Sequence, residues 1–535
     1  MGQSRSPGRR KSAEASVLAT DVLVIGGGPA AAWAALTARE SGARVIVVDK
    51  GYMGTSGATA PSNTGTWFVP PGEPRREAVN RRQALTGGLA DADWAYGVLG
   101  IAWDSLHRLA EMGYPFPSDD EGKPYLANLR GPDYMHFMRR RVRRAGVTVL
   151  DHHPALELLA DGDRVAGAAG IDRQRGRPWR IHAGAVVLAT GGCAFGERIL
   201  GATGLTGDGY LMAAEAGATM SGMEFSAQYA FTPKPSALNK GLPFRWASFT
   251  REDGSRIGID GKDRHAAVAE VLLEGPVYAQ YDKANPELRQ WLRQGQPNCF
   301  LPLDRMGVDA FDERWPVTLR CEGTVRGVGG IRLTGDDCST GVPGLYAAGD
   351  AASRERLTGA VTGGGGPNSS WAIASGNWAG RAAAAFAASH GGNGASLAPL
   401  GQVGLRPAAD HRAAFDPAAA VAAVREEMLP LDRNFFRTEA GLKRSLDRLD
   451  ANWTGLRHHA PGERPAALRA REAAALIATS RWACAGAIVR AESRGMHRRR
   501  DAPGRDAEFT CRIEARGLDQ ITIARRPIES AETAL

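Results

Sequence analysis

The six cysteines, at 193, 299, 321, 338, 484 and 511, lie far apart, and none belongs to a Cys-x-x-Cys pair. Without such a pair, no iron–sulfur cluster or zinc site is expected within the chain, and the spacing fits a reducing, cytoplasmic setting. There is also no apolar run long enough to cross a bilayer, so direct membrane insertion is not expected. The first twenty residues carry Arg5, Arg9, Arg10 and Lys11 among serines and glycines, with no hydrophobic stretch behind them. They make a poor export or transit signal and read as a disordered basic terminus over 1–19. Net charge is +8, yet no basic tract is interleaved with stacking aromatics, so nucleic acid is not an expected partner.

What the chain does have is a strand, a glycine turn, a helix and a second strand between Val22 and Asp49. Gly26 lets the chain turn tightly off the first strand, and Gly28 lets backbone approach a pyrophosphate. Pro29 and Ala30 open the helix whose N-terminus faces the phosphate charge, and Ala31 keeps that helix close to the sheet. Asp49, at the tip of the second strand, is placed to accept hydrogen bonds from an adenosine ribose. A glycine turn alone is a weak signal; flanked by both strands, the helix and the acid, it reads as a dinucleotide site. An anionic cofactor and substrate account for part of the positive charge, and a plainly arginine-rich composition accounts for it equally well.

At 535 residues the chain is too long for one core, and about two to four structural units are expected. Met53 to Thr66 is small and rich in Gly, Ser and Thr, suited to lying against a planar ligand. Helical patterns follow at 94–112 and 134–144, and short strands at 147–150, 155–159 and 165–170. Two further buried strands end in turns, at Thr190-Gly191 and at Gly349-Asp350, as strands of a doubly wound sheet do at a ligand edge. Asn368, Ser369 and Ser370 precede an alanine-rich run and read as the N-terminal chemistry of a helix reaching about Ala388. Helical spacing returns at 412–428, 432–449 and 465–479, and 509–523 alternates like a strand pair.

These pieces resemble the flavoprotein subunits of the succinate dehydrogenase and fumarate reductase superfamily, which also includes L-aspartate oxidase and the adenylylsulfate reductase alpha subunit. Beyond the nucleotide unit, the carriers are Ala189-Thr190-Gly191-Gly192, Thr206-Gly207-Asp208-Gly209, Met223-Glu224-Phe225, Glu274-Gly275-Pro276, Gly329-Gly330-Ile331, Leu345 to Asp350, Asn368-Ser369 and Glu492-Ser493-Arg494-Gly495-Met496-His497. The likeness runs from about Thr20 to Pro503, with the motifs in matching order.

The resemblance implies an α/β fold: a Rossmann-like FAD-binding domain over 20–230 and 331–390, and an inserted α+β capping domain over 231–330. A linker over 391–409 and a C-terminal helical domain with terminal strands over 410–535 would complete it. It further implies FAD, held by Gly26, Gly28, Pro29, Ala30, Ala31, Asp49, Lys50, Thr55, Ser56, Gly57, Thr190, Gly191, Asp208, Gly349, Asp350, Asn368 and Ser369. Relatives tether the flavin through a histidine in a Ser-His-Thr string; here the loop reads Thr55-Ser56-Gly57-Ala58, so the flavin is expected to be noncovalent.

The family's dicarboxylate anchors fall at Tyr229, Val325 and Gly363-Gly364, and none of these is a histidine or arginine. Loss of a planar guanidinium fork removes the tightest grip on a C4 diacid. The expected activity is therefore transfer of a hydride or electrons between flavin N5 and a small anionic substrate other than a C4 dicarboxylate. Arg264, Tyr229 and Arg326 are the catalytic candidates, with Arg332 a further anion binder and His265 and Glu322 weaker. A surface charge at a helix start is the plain alternative for Arg264. Arg494 and His497 are expected to brace domains. Two other readings stay open: an adenylylsulfate-reductase-alpha-like subunit working with an iron–sulfur or ferredoxin-like partner, and a flavin electron-relay subunit without substrate chemistry.

Overall fold

The apolar runs 22–25, 45–48 and 183–188 are buried throughout, as parallel strands covered on both faces must be. In the computed structural model, which describes residues 16–118, 121–234, 236–239, 241–259, 263–390, 396–407, 415–459 and 464–528, they form the centre of an eight-stranded sheet. Strand Ser16–Ile25 pairs in parallel with Val45–Val48 on one side and Arg177–Leu188 on the other. Thr148–Leu150 and Leu345–Ala347 extend the parallel part. Beyond Arg177–Leu188 the sheet turns antiparallel through Arg164–Asp172 and Ala155–Asp161 to Ala398–Pro399.

Helices Pro29–Glu40 and Gly365–His390 cross backbone to backbone over this sheet. A Cβ on Gly376 would lie 2.6 Å from the Ala30 carbonyl oxygen, and one on Gly380 would lie 2.4 Å from that of Ala34, so only glycine permits the approach. The sequence-predicted helices over 94–112 and 134–144 are Ala92–Glu111 and Gly131–Arg144. Those expected near the C-terminus are Pro417–Met428, Glu439–Arg457 and Arg464–Val489. One boundary needs correction: residues 16–19, assigned to the disordered terminus, belong to the first strand, because 16–20 pair with Trp179–Ala183. Residues 1–15, 391–395 and 408–409 of the expected terminus and linker lie outside the described residues.

A second, antiparallel sheet runs Tyr229–Pro233, Trp315–Cys321, Val277–Gln280, Ser248–Arg251. Trp315–Cys321 buries every other residue, and Phe231, Phe244, Phe249, Tyr281 and Trp315 make a ring-on-ring core beneath it. A third sheet joins distant parts of the chain: Met220–Ser221 pairs with Gly330–Ile331 and with Cys511–Arg516, which pairs with Thr522–Pro527.

Buried charge fastens this junction. Arg490 is fully buried and donates to Glu224 Oε1 at 2.9 Å, Glu492 Oε1 at 3.0 Å and the carbonyls of Phe509 and Cys511, each at 2.8 Å. Arg494 donates to the Glu492 carboxylate at 2.6 Å and to the Gly87 carbonyl, tying the C-terminal segment to the nucleotide-binding half. Burial and the neighbouring Arg437 hold His497 well below the usual histidine range, and its ring bonds Arg437 at 2.8 Å. Arg494 and His497 thus act as braces. Removing one partner from such a cluster costs about 3–5 kcal/mol, because the remaining charge is left buried.

Glu355 lies beside this cluster, taking a hydrogen bond from Ser221 Oγ at 2.7 Å and facing Glu224, Arg490 and Arg512. Burial, then the Glu224 carboxylate, push its carboxyl from 4.5 up to about 7. The neutral acid is therefore favoured by folding, and its contribution is full below the unfolded pKa and lost as pH rises through the folded value. Thermal denaturation from about pH 5 to about pH 8 is expected to show Tm falling on the alkaline side, and Glu355→Gln to flatten that fall. An unchanged slope in the variant would refute this assignment.

Candidate active site

One cleft of about 1280 Å³ runs from the carboxyl ends of the parallel strands to the underside of the second sheet. Its volume exceeds the roughly 300–1,000 Å³ of an ordinary ligand pocket, leaving room for a cofactor and a substrate. At its nucleotide end, Gly26 has φ +125°, and a Cβ there would lie 2.2 Å from the Ala189 carbonyl oxygen. Gly28 has open space where its side chain would be, and the helix after it begins with no side-chain cap. Backbone N–H groups at such a helix start are free to bind an anion.

Asp49 lines the cleft and accepts a hydrogen bond from Ser56 Oγ; burial pushes its carboxyl up, against the hydrogen bond from Ser56. Lys50 is a brace, its Nζ donating to Asp208 Oδ2 at 2.7 Å, Thr206 Oγ1 at 3.0 Å and Glu472 Oε1 at 3.2 Å. Gly57, Gly191, Gly349, Pro29 and Ala30 also line the cleft. Two expected contacts do not: Ala31 is wholly buried in its helix, and Thr55 turns its hydroxyl to the Tyr52 carbonyl. The helix expected to open within 363–370 starts at Gly365, which puts Asn368 and Ser369 in its first turn. Ser369 Oγ donates to the carbonyls of Gly65 at 2.6 Å and Gly366 at 2.9 Å. Asn368 differs: both polar atoms of its amide, and Thr190 Oγ1, are buried at the cleft with no partner among the described residues. A buried polar atom left unpaired costs about 1–3 kcal/mol, so these atoms are groups in want of a ligand.

Asp350 also lines the cleft. Its carboxylate is paired with Arg354, which pulls its pKa down against the larger, raising effect of burial. Its carbonyl accepts from Tyr210 Oη at 2.7 Å.

At the other end, Asp263 caps helix Arg264–Glu274 with bonds to the amides of His265 and Ala266 and so fixes Arg264 at its first turn. Arg264 donates to the Phe244 carbonyl at 2.7 Å and lies 5.3 Å over the Phe231 ring, with no ion-pair partner among the described residues. Burial and the adjacent Arg245 lower its pKa from 12.5. Arg245 lines the cleft, and its side chain has no hydrogen-bond partner among the described residues. His265 stacks on Phe231 at 4.4 Å, and burial holds its imidazole down at about 4, hence neutral at pH 7. Arg326 sits 3.5 Å from buried Glu322, which also takes the Asn239 amide at 2.6 Å. The cationic side chains outnumber the acid, which favours an anion.

Two sequence candidates are held by other partners. Tyr229 lines the cleft, but its Oη donates to the Leu429 carbonyl at 3.0 Å and burial pushes its pKa well above 10, so the hydroxyl ties the second sheet to the C-terminal helices. Arg332 is absent from the cleft lining and pairs with Glu514 at 2.5 Å. Sequence reasoning missed Arg245, Trp291 and Arg354. The first two face the cleft from a stretch without a motif; Trp291, 53% exposed, was legible only as an unexplained surface aromatic.

Residues 21–239 match the family model of an FAD binding domain, and residues 427–533 that of the fumarate reductase flavoprotein C-terminal region. The chain is 27% identical to the 8-methylmenaquinol:fumarate reductase flavoprotein subunit of Wolinella succinogenes, over 91% of this chain and 86% of the relative. It is 28% identical to the L-aspartate oxidase of Mycobacterium leprae, over 95% and 97%. Among solved structures, an E. coli quinol fumarate reductase chain superposes with a TM-score of 0.81 at 20% identity, covering 96% of this chain and 98% of that one. Adenylylsulfate reductase from Archaeoglobus fulgidus gives 0.77 at 20%, covering 98% and 99%. The open backbone at Gly28 and the unpartnered atoms of Thr190 and Asn368 suit FAD, which brings a diphosphate and a ring edge rich in hydrogen-bonding atoms. The chain therefore belongs to the succinate dehydrogenase and fumarate reductase flavoprotein superfamily and is an FAD-dependent oxidoreductase.

Proposed function

We propose that the cleft holds FAD noncovalently and works on a small anionic substrate, other than a C4 dicarboxylate, gripped by Arg264, Arg245 and Arg326. The observation that carries this reading is the meeting, in one cleft, of buried Thr190 and Asn368 polar atoms with two arginines, none of which has a hydrogen-bonding or ion-pair side-chain partner among the described residues. FAD, when bound, supplies reversible two-electron chemistry at its N5 edge. Gly28 and the amides after it would bind the diphosphate, and Asp49 the adenosine ribose. Thr190 and Asn368 would satisfy their buried polar atoms on the cofactor, and Asp350 would face its ribityl chain.

The remaining work belongs to the second-sheet side. Arg264 and Arg245 neutralise and orient the anion, and guanidinium forks do this in two parallel bonds. Arg264 spends one nitrogen on Phe244, which fixes its plane and leaves the others to hold a proton toward the substrate. His265 stays uncharged beside it and adds no competing positive charge. The aromatic underside of the second sheet excludes water, which strengthens every charged contact in the site. Electrons must then leave for an external acceptor, and an iron–sulfur or ferredoxin-like subunit is the proposed class, since the six cysteines are all buried and single.

Acid precipitation of the yellow holoprotein is expected to release all of the flavin into the supernatant, and flavin remaining in the pellet would overturn noncovalent binding. Gly28→Val places a side chain where the diphosphate would lie, and purified variant is expected to be colourless. For the anion site, sulfite serves as the probe, with its addition to the bound flavin followed as bleaching. Arg264→Met and Arg245→Met are each expected to weaken it about tenfold or more, in line with about 1.5–3 kcal/mol for a charged hydrogen bond. Wild-type sulfite affinity in both variants would sink the proposed anion site.

A further inference from the structure

Arg354 is 1% exposed, immediately precedes the short helix Glu355–Thr358, and has no place in any motif that the sequence suggests. Its guanidinium is surrounded by oxygen. Nε donates to the Gly327 carbonyl at 2.9 Å, Nη2 to those of Thr324 at 2.8 Å, Val325 at 3.0 Å and Gly327 at 2.5 Å, and Nη1 to the Asp350 carboxylate. Its own amide donates to the Val328 carbonyl at 3.1 Å. One side chain thus joins two stretches of the cleft wall that are far apart in sequence: the strand end at Asp350 and the turn over 324–327 that presents Arg326. Tyr210 runs a parallel, uncharged tie, bonding the Asp350 carbonyl, the Thr324 hydroxyl at 2.9 Å and the Gly329 carbonyl at 3.2 Å.

The arrangement fits a spacer better than filler. A guanidinium without water is costly to bury, and it is tolerated only when its donors are satisfied. Here they are satisfied mostly by backbone carbonyls, so the planar fork fixes the path of the turn and not merely its charge. Removing it would leave three carbonyls and a carboxylate facing one another. We propose that Arg354 is a positioning residue that sets the distance between the Asp350 wall and the Arg326 turn, and so couples cofactor binding to the shape of the anion site. The proposal rests on the reading of this cleft as the FAD and anion site.

The test uses full-length Arg354→Ala and Arg354→Lys beside wild type, with FAD affinity by fluorescence titration and peptide-level hydrogen exchange. Wild type must first bind FAD; if it does not, the reading of the cleft fails, and Arg354 is not the reason. Given binding, Arg354→Ala is expected to weaken FAD at least about tenfold, since Asp350 loses its counter-charge in a buried site. Exchange is expected to quicken in peptides covering both 322–330 and 346–353, but not in helix Glu439–Arg457. Methylguanidinium in the millimolar range is expected to restore both readouts in the alanine variant, and Arg354→Lys to lie between it and wild type. Unchanged FAD affinity, quickened exchange in only one of the two peptides or throughout the chain, or a failure of rescue would each overturn the proposal. If the alanine variant does not fold, Arg354→Lys decides through the same two readouts: wild-type values, or exchange raised in one wall alone, refute it.

Discussion

Parallel strands that share a sheet must all end on the same edge, and the site of this protein hangs from that constraint. Ile25, Val48, Leu188 and Ala347 close four adjoining strands, and the residues just past them are Gly26, Asp49, Thr190 and Asp350. No side chain has to reach far to enter the cleft, because the pairing register has already delivered the backbone there. What remains is to hold the loops beyond the strands in place, and that task falls to polar groups bonded to backbone: Ser369 to Gly65, Tyr210 to Asp350 and Gly329, Arg354 to the 324–327 turn. A loop without its own ladder of hydrogen bonds has to find partners elsewhere, or leave its amides and carbonyls buried and unpaired.

The nucleotide end was legible in the sequence because its chemistry is local. Gly26, Gly28, Asp49 and the strands around them fall within one run of chain, and their spacing encodes the turn. The opposite end was legible only in part, at Arg264 and Arg326, for physical reasons that differ from residue to residue. Tyr229 looked like a proton donor because a tyrosine at a ligand edge has the right group; the Leu429 carbonyl that occupies its hydroxyl lies two hundred residues away in sequence. Arg332 looked like an anion binder until Glu514, from the last strands, took its charge. Arg354 left no pattern because its partners are chiefly carbonyl oxygens, which every residue type carries. Asn368 was read correctly as lying near a helix start, and only the structure distinguishes a cap from a first-turn amide that nothing satisfies.

The positive charge of the chain resolves in a similar way. Some of the arginines that composition alone divides between ligand and solvent are internal fasteners: Arg139, Arg437, Arg471, Arg490, Arg494 and Arg499 are all buried. Each carries five donors on a planar head, and buried carbonyls and carboxylates use them up. Against that background, Arg245 and Arg264 stand apart, because their guanidiniums are near one another and neither forms an ion pair among the described residues.

The third sheet has a consequence for how the protein comes into being. Met220–Ser221, the strand before the Met223-Glu224-Phe225 run, finds one of its two neighbours in Cys511–Arg516, and Arg490 needs the carbonyls of Phe509 and Cys511 to spend its donors. A ribosome therefore makes most of this chain before the pieces that close that seam exist. Until the final stretch emerges, the nascent polypeptide carries an open strand edge and an unneutralised Glu224, features that invite association with other chains. Loss of the strand Cys511–Arg516 would leave the mature fold with that same open edge at Met220–Ser221.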